Sequence, residues 1–276
     1  MEQQNDEMSF LQHLEELRWH IIRSGIAIVL IAIVAFFNKS FIFDTVIFGP
    51  KDENFITFQL LCDFSHFLFS IVPDLVISDD VLCIGQSFPP LQNINMSGQF
   101  TTHIMVSMIA GLVVGFPYVF WEFWRFVKPG LRKEEQRYTR GIVFWTWMLF
   151  VSGILFGYYI ISPLSVNFFF NYSISDDVQT IPTLSTYIST VVTIVLACGF
   201  VFELPILVFF LTKAGLITPS FLKTYRKHAL VAALVLSAVI TPPDIFSQLL
   251  VTFPLIILYE ISIVISRTVT NKEMNR

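Results

Sequence analysis

The sequence predicts an all-α integral membrane protein with six transmembrane helices, the last two short, and both termini in the cytoplasm. Three observations carry that reading. Of the 276 residues 54% are hydrophobic and only 14% charged, and the mean hydropathy is +0.68, beyond what a water-facing surface sustains. The apolar residues gather in separated runs of roughly 18 to 22, the length a helix needs to cross about 30 Å of hydrocarbon at about 1.5 Å per residue. The basic residues lie almost entirely in alternate connecting segments, as the orientation rule for membrane proteins requires.

A polar amphipathic segment, 8–18, leads into the first span at 19–37. No small-residue cleavage site follows this apolar stretch, so the span is expected to be retained rather than removed as a signal peptide. The longest polar stretch, 38–102, is read as a periplasmic loop. Its apolar pieces, such as 67–72, are too short to cross and predict interfacial or packed helical turns. The second span is 104–121, where Gly111, Gly115 and Pro117 predict close helix approach and a bend. The third is 141–162, and the fourth, 187–211, carries Glu203 and Pro205 and should kink. The fifth, 229–240, spans only about 18 Å, and a Thr241-Pro242-Pro243-Asp244 turn joins it to the sixth, 246–265. The pair reads as a hairpin that locally thins the bilayer; a re-entrant pair is the competing reading. All six are expected to form a single transmembrane domain, 1–276.

Orientation follows from the 17 Lys and Arg residues. If every segment crosses, fifteen fall on one side, including Arg125, Lys128, Arg132, Lys133, Arg137 and Arg140 after span two. The other side holds only Lys39 and Lys51, together with acids such as Asp52, Glu53, Asp79, Asp80, Asp176 and Asp177. The basic side, with both chain ends, is therefore expected to be cytoplasmic. The net charge of -4 says little about partners, because the two signs are sorted by side; no nucleic-acid partner is expected.

Enzyme signatures are absent: the chain has no phosphate loop of the Gly-x-x-x-x-Gly-Lys-Ser/Thr type, no His-Glu-x-x-His and no Gly-x-Ser-x-Gly. Its five histidines (His13, His20, His66, His103, His228) are scattered over both sides and predict neither a metal site nor a catalytic triad. No enzyme activity and no cofactor are expected. Of the three cysteines, Cys62 and Cys83 share the first outward loop, where a bridge could form in an oxidising compartment and contribute about 3 kcal/mol. Cys198 reads as a small buried residue in span four.

Four short segments bear polar chemistry. His13-Leu14-Glu15-Glu16-Leu17-Arg18 precedes span one, and Phe126-Val127-Lys128-Pro129-Gly130-Leu131-Arg132-Lys133-Glu134-Glu135 follows span two. Each taken alone is ordinary membrane-surface chemistry, an amphipathic helix start and a basic loop. Glu203 is harder to account for, because a carboxylate within a span costs several kcal/mol unless protonated, paired or facing a polar cavity. Asp244 and Gln248 lie four apart on one helical face; capping explains Asp244 but leaves Gln248 unexplained.

Together these segments make the chain resemble the TatC family, the multispanning core of the twin-arginine protein translocase. The family pattern is His-Leu-x-Glu-Leu-Arg before span one, Phe-x-x-Pro-x-Leu-x-x-x-Glu after span two, Phe-Glu-x-Pro in span four, and Thr-Pro-Pro-Asp with Gln four residues on. All four occur here in family order. The resemblance implies binding of Arg-Arg signal peptides of folded cargo proteins by Glu16, Arg18, Phe126, Pro129, Leu131 and Glu135. It implies intramembrane contacts through Glu203, Pro205, Asp244 and Gln248 with single-span subunits of the TatA and TatB kind. It further implies a homo-oligomer within the complex, transport driven by the proton motive force, and residence in a bacterial cytoplasmic (inner) membrane, an organelle-encoded copy being the alternative. Two rival functions are an ion-coupled solute transporter using Glu203 as its cation site, and a passive assembly factor that binds membrane helices without moving cargo.

Overall fold

Long runs of Leu, Ile, Val, Phe and Ala with few breakers fold as helix wherever the backbone must satisfy its own hydrogen bonds. In the computed structural model every regular element among the described residues is helical. Described are residues 10–71, 83–85, 88–127, 139–175, 177, 181–242 and 245–274. The α-helices are α1 (Phe10–Phe37), α2 (Ile56–Ile71), α3 (Gly98–Val127), α4 (Thr139–Phe156), α5 (Ser162–Asn171), α6 (Leu184–Val201), α7 (Leu204–Lys213), α8 (Pro219–Thr224), α9 (Arg226–Ile240) and α10 (Ile245–Met274). Short π-helical stretches occupy Phe41–Ile47 and Gly157–Ile161. The chain divides into two compact units, residues 1–39 with 103–148, and residues 40–102 with 149–276.

In the first unit α1 packs directly on α3. A side chain at Gly111 would bring its Cβ to 2.5 Å from the Ile28 carbonyl oxygen and 3.0 Å from Ala32 Cβ, so the two backbones touch there because position 111 has no side chain. The His103 ring stacks on Phe36 at 4.0 Å and its Nε2 donates to the Phe36 carbonyl at 3.0 Å. That bond satisfies a carbonyl near the end of α1 that the helix leaves without an internal donor.

In the second unit a core of Ile161, Ile194, Cys198, Ile240, Val251, Leu255 and Leu258 collects side chains from the π-helical stretch after α4 and from α6, α9 and α10. Gly153 lets α4 approach α6: a Cβ there would lie 2.6 Å from the Cys198 carbonyl oxygen. Two tyrosines staple the segment after α1, with Tyr158 donating to Val46 O at 2.7 Å and Tyr187 to Ile47 O at 2.8 Å. Hydroxyls tie the last helices together, Thr212 to Ser266 at 2.9 Å and Ser237 to Thr252 at 2.7 Å. Such bonds are a common way of joining helices that lipid cannot squeeze together.

Several expectations are met and others change. Among the described residues five helical stretches are long and apolar enough to cross a membrane: Leu14–Phe37, Gly98–Val127, Gly141–Asn171, Leu184–Lys213 and Ser247–Asn271. The break in the fourth stretch falls where it was expected, between α6 and α7 around Glu203 and Pro205. The final helix is not short. It runs for 30 residues, because the polar residues past position 265 remain helical: Ser266 is fully buried and Thr270 bonds back to its carbonyl at 3.0 Å. Helix α9 is short as expected, at 15 residues. The apolar pieces of the first loop prove larger than helical turns, since 67–71 ends the 16-residue α2. Cys62 and Cys83 are joined in a disulfide, and Cys198 is buried and free.

Candidate functional site

The polar groups placed on apolar helices mark the site, and in the first unit they come from one face of α1 and one face of α3. Glu16 and His20 are four apart on α1, as are Glu122 and Phe126 on α3, so each pair shares a helical face. His20 joins the faces. Its Nδ1 donates to Glu122 Oε2 at 2.5 Å across 102 residues of sequence, and its ring meets Phe126 edge-on at 6.2 Å.

Glu122 is 1% exposed, and burial of a carboxylate is tolerable only when its lone pairs are met. They are: Arg125 Nη1 donates to Oε1 at 3.3 Å and the Tyr118 hydroxyl adds a further hydrogen bond. Arg125 is itself held over the Trp121 ring at 5.1 Å, a cation–π contact that helps fix the guanidinium. Sequence reasoning missed His20 and Glu122. The available signal was a carboxylate one residue beyond an apolar run with a base three residues on; the partner lies too far along the chain for any spacing rule to find.

Of the neighbouring acids at the start of α1, Glu15 accepts from Arg18 at 3.1 Å, both side chains being exposed. Glu16 differs: its Oε2 is buried and has no hydrogen-bond partner among the described residues. Arg18, predicted to contact the signal peptide, is thus engaged by Glu15 and also lies over the Trp19 ring at 5.8 Å. Phe126 is half-buried against His20. Pro129, Leu131, Glu135 and Asp244 lie outside the described residues.

In the second unit Glu203 occupies the junction of α6 and α7. Its main chain is used, since its carbonyl accepts from Ile206 and Leu207 at 3.0 Å, but its side chain makes no cap bond. Both carboxylate oxygens are shut off from solvent without a hydrogen-bond partner among the described residues. Pro205, fully buried in the first turn of α7, lacks the amide that would continue the helix and so creates the junction. Gln248 donates from Nε2 to Leu234 O at 3.2 Å. Its amide is therefore partly committed to holding α9 against α10.

A family model described as "Sec-independent protein translocase protein (TatC)" matches residues 12–254. A protein of that description from Blattabacterium sp. subsp. Periplaneta americana is 41% identical over 273 residues, covering 99% of this chain and 100% of the relative. One from Aquifex aeolicus is 32% identical, covering 96% and 98%. A solved structure, "Crystal Structure of Twin Arginine Translocase Receptor- TatC in DDM", superposes with a TM-score of 0.66 at 29% identity over 92% of this chain and 99% of that one.

Proposed function

The chain belongs to the TatC family of Sec-independent protein translocase proteins, and from that premise we propose that it captures Arg-Arg signal peptides at the cytoplasmic face of a bacterial inner membrane. It is a multi-pass membrane component of a protein translocase, and its residues 1–276 work as one transmembrane domain. Six crossings put both termini in the cytoplasm, with α9 as the short fifth crossing and α10 as a full-length sixth.

The observation that carries the reading is the contrast between Glu15 and Glu16. Arg18 takes the first and leaves the second with a buried acceptor oxygen. An unmet buried acceptor costs about 1–3 kcal/mol, which an incoming guanidinium recovers. Guanidinium is planar and can bond a carboxylate through two parallel N–H groups, which ammonium cannot do. Arginine is therefore preferred over lysine. One exposed pair contributes only about 0–1 kcal/mol, so Glu135 supplies the second carboxylate, while Phe126, Pro129 and Leu131 support the apolar part of the signal. Arg18 acts by holding Glu15 away from this exchange.

Glu203, at the helix break made by Pro205, meets a single-span partner of the TatA or TatB kind within the membrane, and Asp244 with Gln248 offers a second contact. The complex contains several copies of this chain and is driven by the proton motive force. Photo-crosslinking of an Arg-Arg signal peptide tests the capture step: Glu16→Ala and Glu135→Ala each lower the yield at least several-fold. Undiminished crosslinking in both variants overturns the assignment.

A further inference from the structure

Cys62 and His66 stand four residues apart on α2, one turn along the same face, and Cys83 reaches that face from the segment 83–85. His66 Nε2 lies 3.9 Å from Cys62 Sγ and 3.8 Å from Cys83 Sγ, and the three donor atoms fall within 4.8 Å of one another. His66 is exposed, so the cluster is open to an ion from solution. The two nitrogen–sulfur separations are close to those of a ligand set, while the two sulfurs are bonded to each other and part on reduction. A metal such as Zn2+, with bonds of about 2.3 Å to sulfur and about 2.0–2.1 Å to nitrogen, spaces a sulfur and a nitrogen ligand about 3.6–3.8 Å apart at tetrahedral to trigonal angles.

The two segments of the site, α2 and 83–85, are also joined without the sulfur–sulfur bond. Gly85, at a φ of 89°, packs so closely on the Phe58 ring that an added Cβ would lie 2.6 Å from it. Phe58 is 2% exposed and sits one turn before Cys62 on the same face of α2. Asn167 Oδ1 accepts from the Gly85 amide at 3.2 Å. Reduction therefore frees two thiols that remain beside one another and beside His66.

The geometry points to Cys62, His66 and Cys83 as a redox-gated metal site: a disulfide when oxidised and, when reduced, a Cys2His site for a thiophilic d10 cation such as Zn2+. The reductant is a dithiol. Its thiolate attacks one sulfur of the disulfide and its second thiol resolves the mixed disulfide, so that two electrons and two protons pass to Cys62 and Cys83 while the donor leaves as a disulfide. Metal binding then releases both thiol protons. Two thiolates and a neutral imidazole around a dication make an uncharged centre, and a water takes the fourth position. The inference stands apart from signal-peptide capture and uses none of its residues.

The full chain in detergent, reduced with a phosphine and freed of it, is titrated with Co2+ as an optical substitute for Zn2+. One equivalent producing an intense near-ultraviolet thiolate band, displaced by Zn2+, is expected, while the oxidised protein produces none. Cys62→Ser and Cys83→Ser lose the band. His66→Ala retains part of it but binds Zn2+ at least about tenfold more weakly in competition with a chromophoric chelator, and Cys198→Ala behaves as wild type. No band in the reduced protein, a band that survives both serine variants, or unchanged affinity in His66→Ala overturns the proposal. So does loss of helical circular dichroism on reduction, because the Gly85 and Phe58 packing is required to hold the site together.

Discussion

Glu122 and Glu203 are both carboxylates placed on long apolar helices, and the molecule treats them in opposite ways. Glu122 is surrounded by His20, Arg125 and Tyr118 so that both of its oxygens are engaged. Glu203 has both oxygens buried without a partner among the described residues. The cost of removing a charge from water is the same kind of cost in both places. Where partners are built in, the carboxylate serves the fold. Where they are not, the fold bears a penalty that a proton or another molecule relieves, and this is why partner binding is proposed for Glu203 and not for Glu122.

The contrast is testable by sign as well as size. The largest effect belongs to Glu122→Leu, which strands a buried imidazole and should destabilise the chain by about 3–5 kcal/mol in reversible unfolding in mixed micelles. The double variant His20→Leu with Glu122→Leu should recover part of that loss; strict additivity of the two single changes would show that the pair is not coupled. Glu203→Leu should act the other way, leaving the isolated chain unchanged or up to about 1–3 kcal/mol more stable. The same variant should lose crosslinks to a single-span subunit. If it unfolds more readily than wild type, Glu203 has a partner inside the chain and the comparison fails.

Two exposed acids bound the scale from below. Glu260 accepts from Arg226 at 2.6 Å, each side chain being about half exposed, so Glu260→Ala should cost no more than about 1 kcal/mol, a cost that shrinks with added salt. Glu15→Ala should shift stability by less than about 0.5 kcal/mol and leave signal-peptide crosslinking intact, in contrast to Glu16→Ala. Equal losses of crosslinking in the two variants would show that the buried oxygen of Glu16 has no special part.

Local chemistry made much of this legible in advance. Proline without an amide after Glu203 dictates a helix break wherever the surrounding chain lies, and the break is where the residues put it. Gly111 announces close helix approach, and it is met by the Ile28 backbone. The length of α10 was not legible, since hydropathy falls off at 265 while helicity continues on the strength of packing by Ser266 and Val269. Among the twelve residues singled out for function, Gln248 has a partner in Leu234, Arg18 in Glu15 and Phe126 in His20, none of which spacing along the chain announced, while Cys62 and Cys83 form the bridge that their shared loop allowed.

By itself the sequence determined the all-helical class, the position of most long apolar helices and the family, because each depends on composition, on periodicity or on short motifs that neighbouring residues carry. Only the tertiary structure decided which buried charges are answered. His20 meets Glu122 across 102 residues. Side chains that far apart along the chain are brought within bonding distance by helix packing alone, and no local preference of the residues between them specifies the meeting.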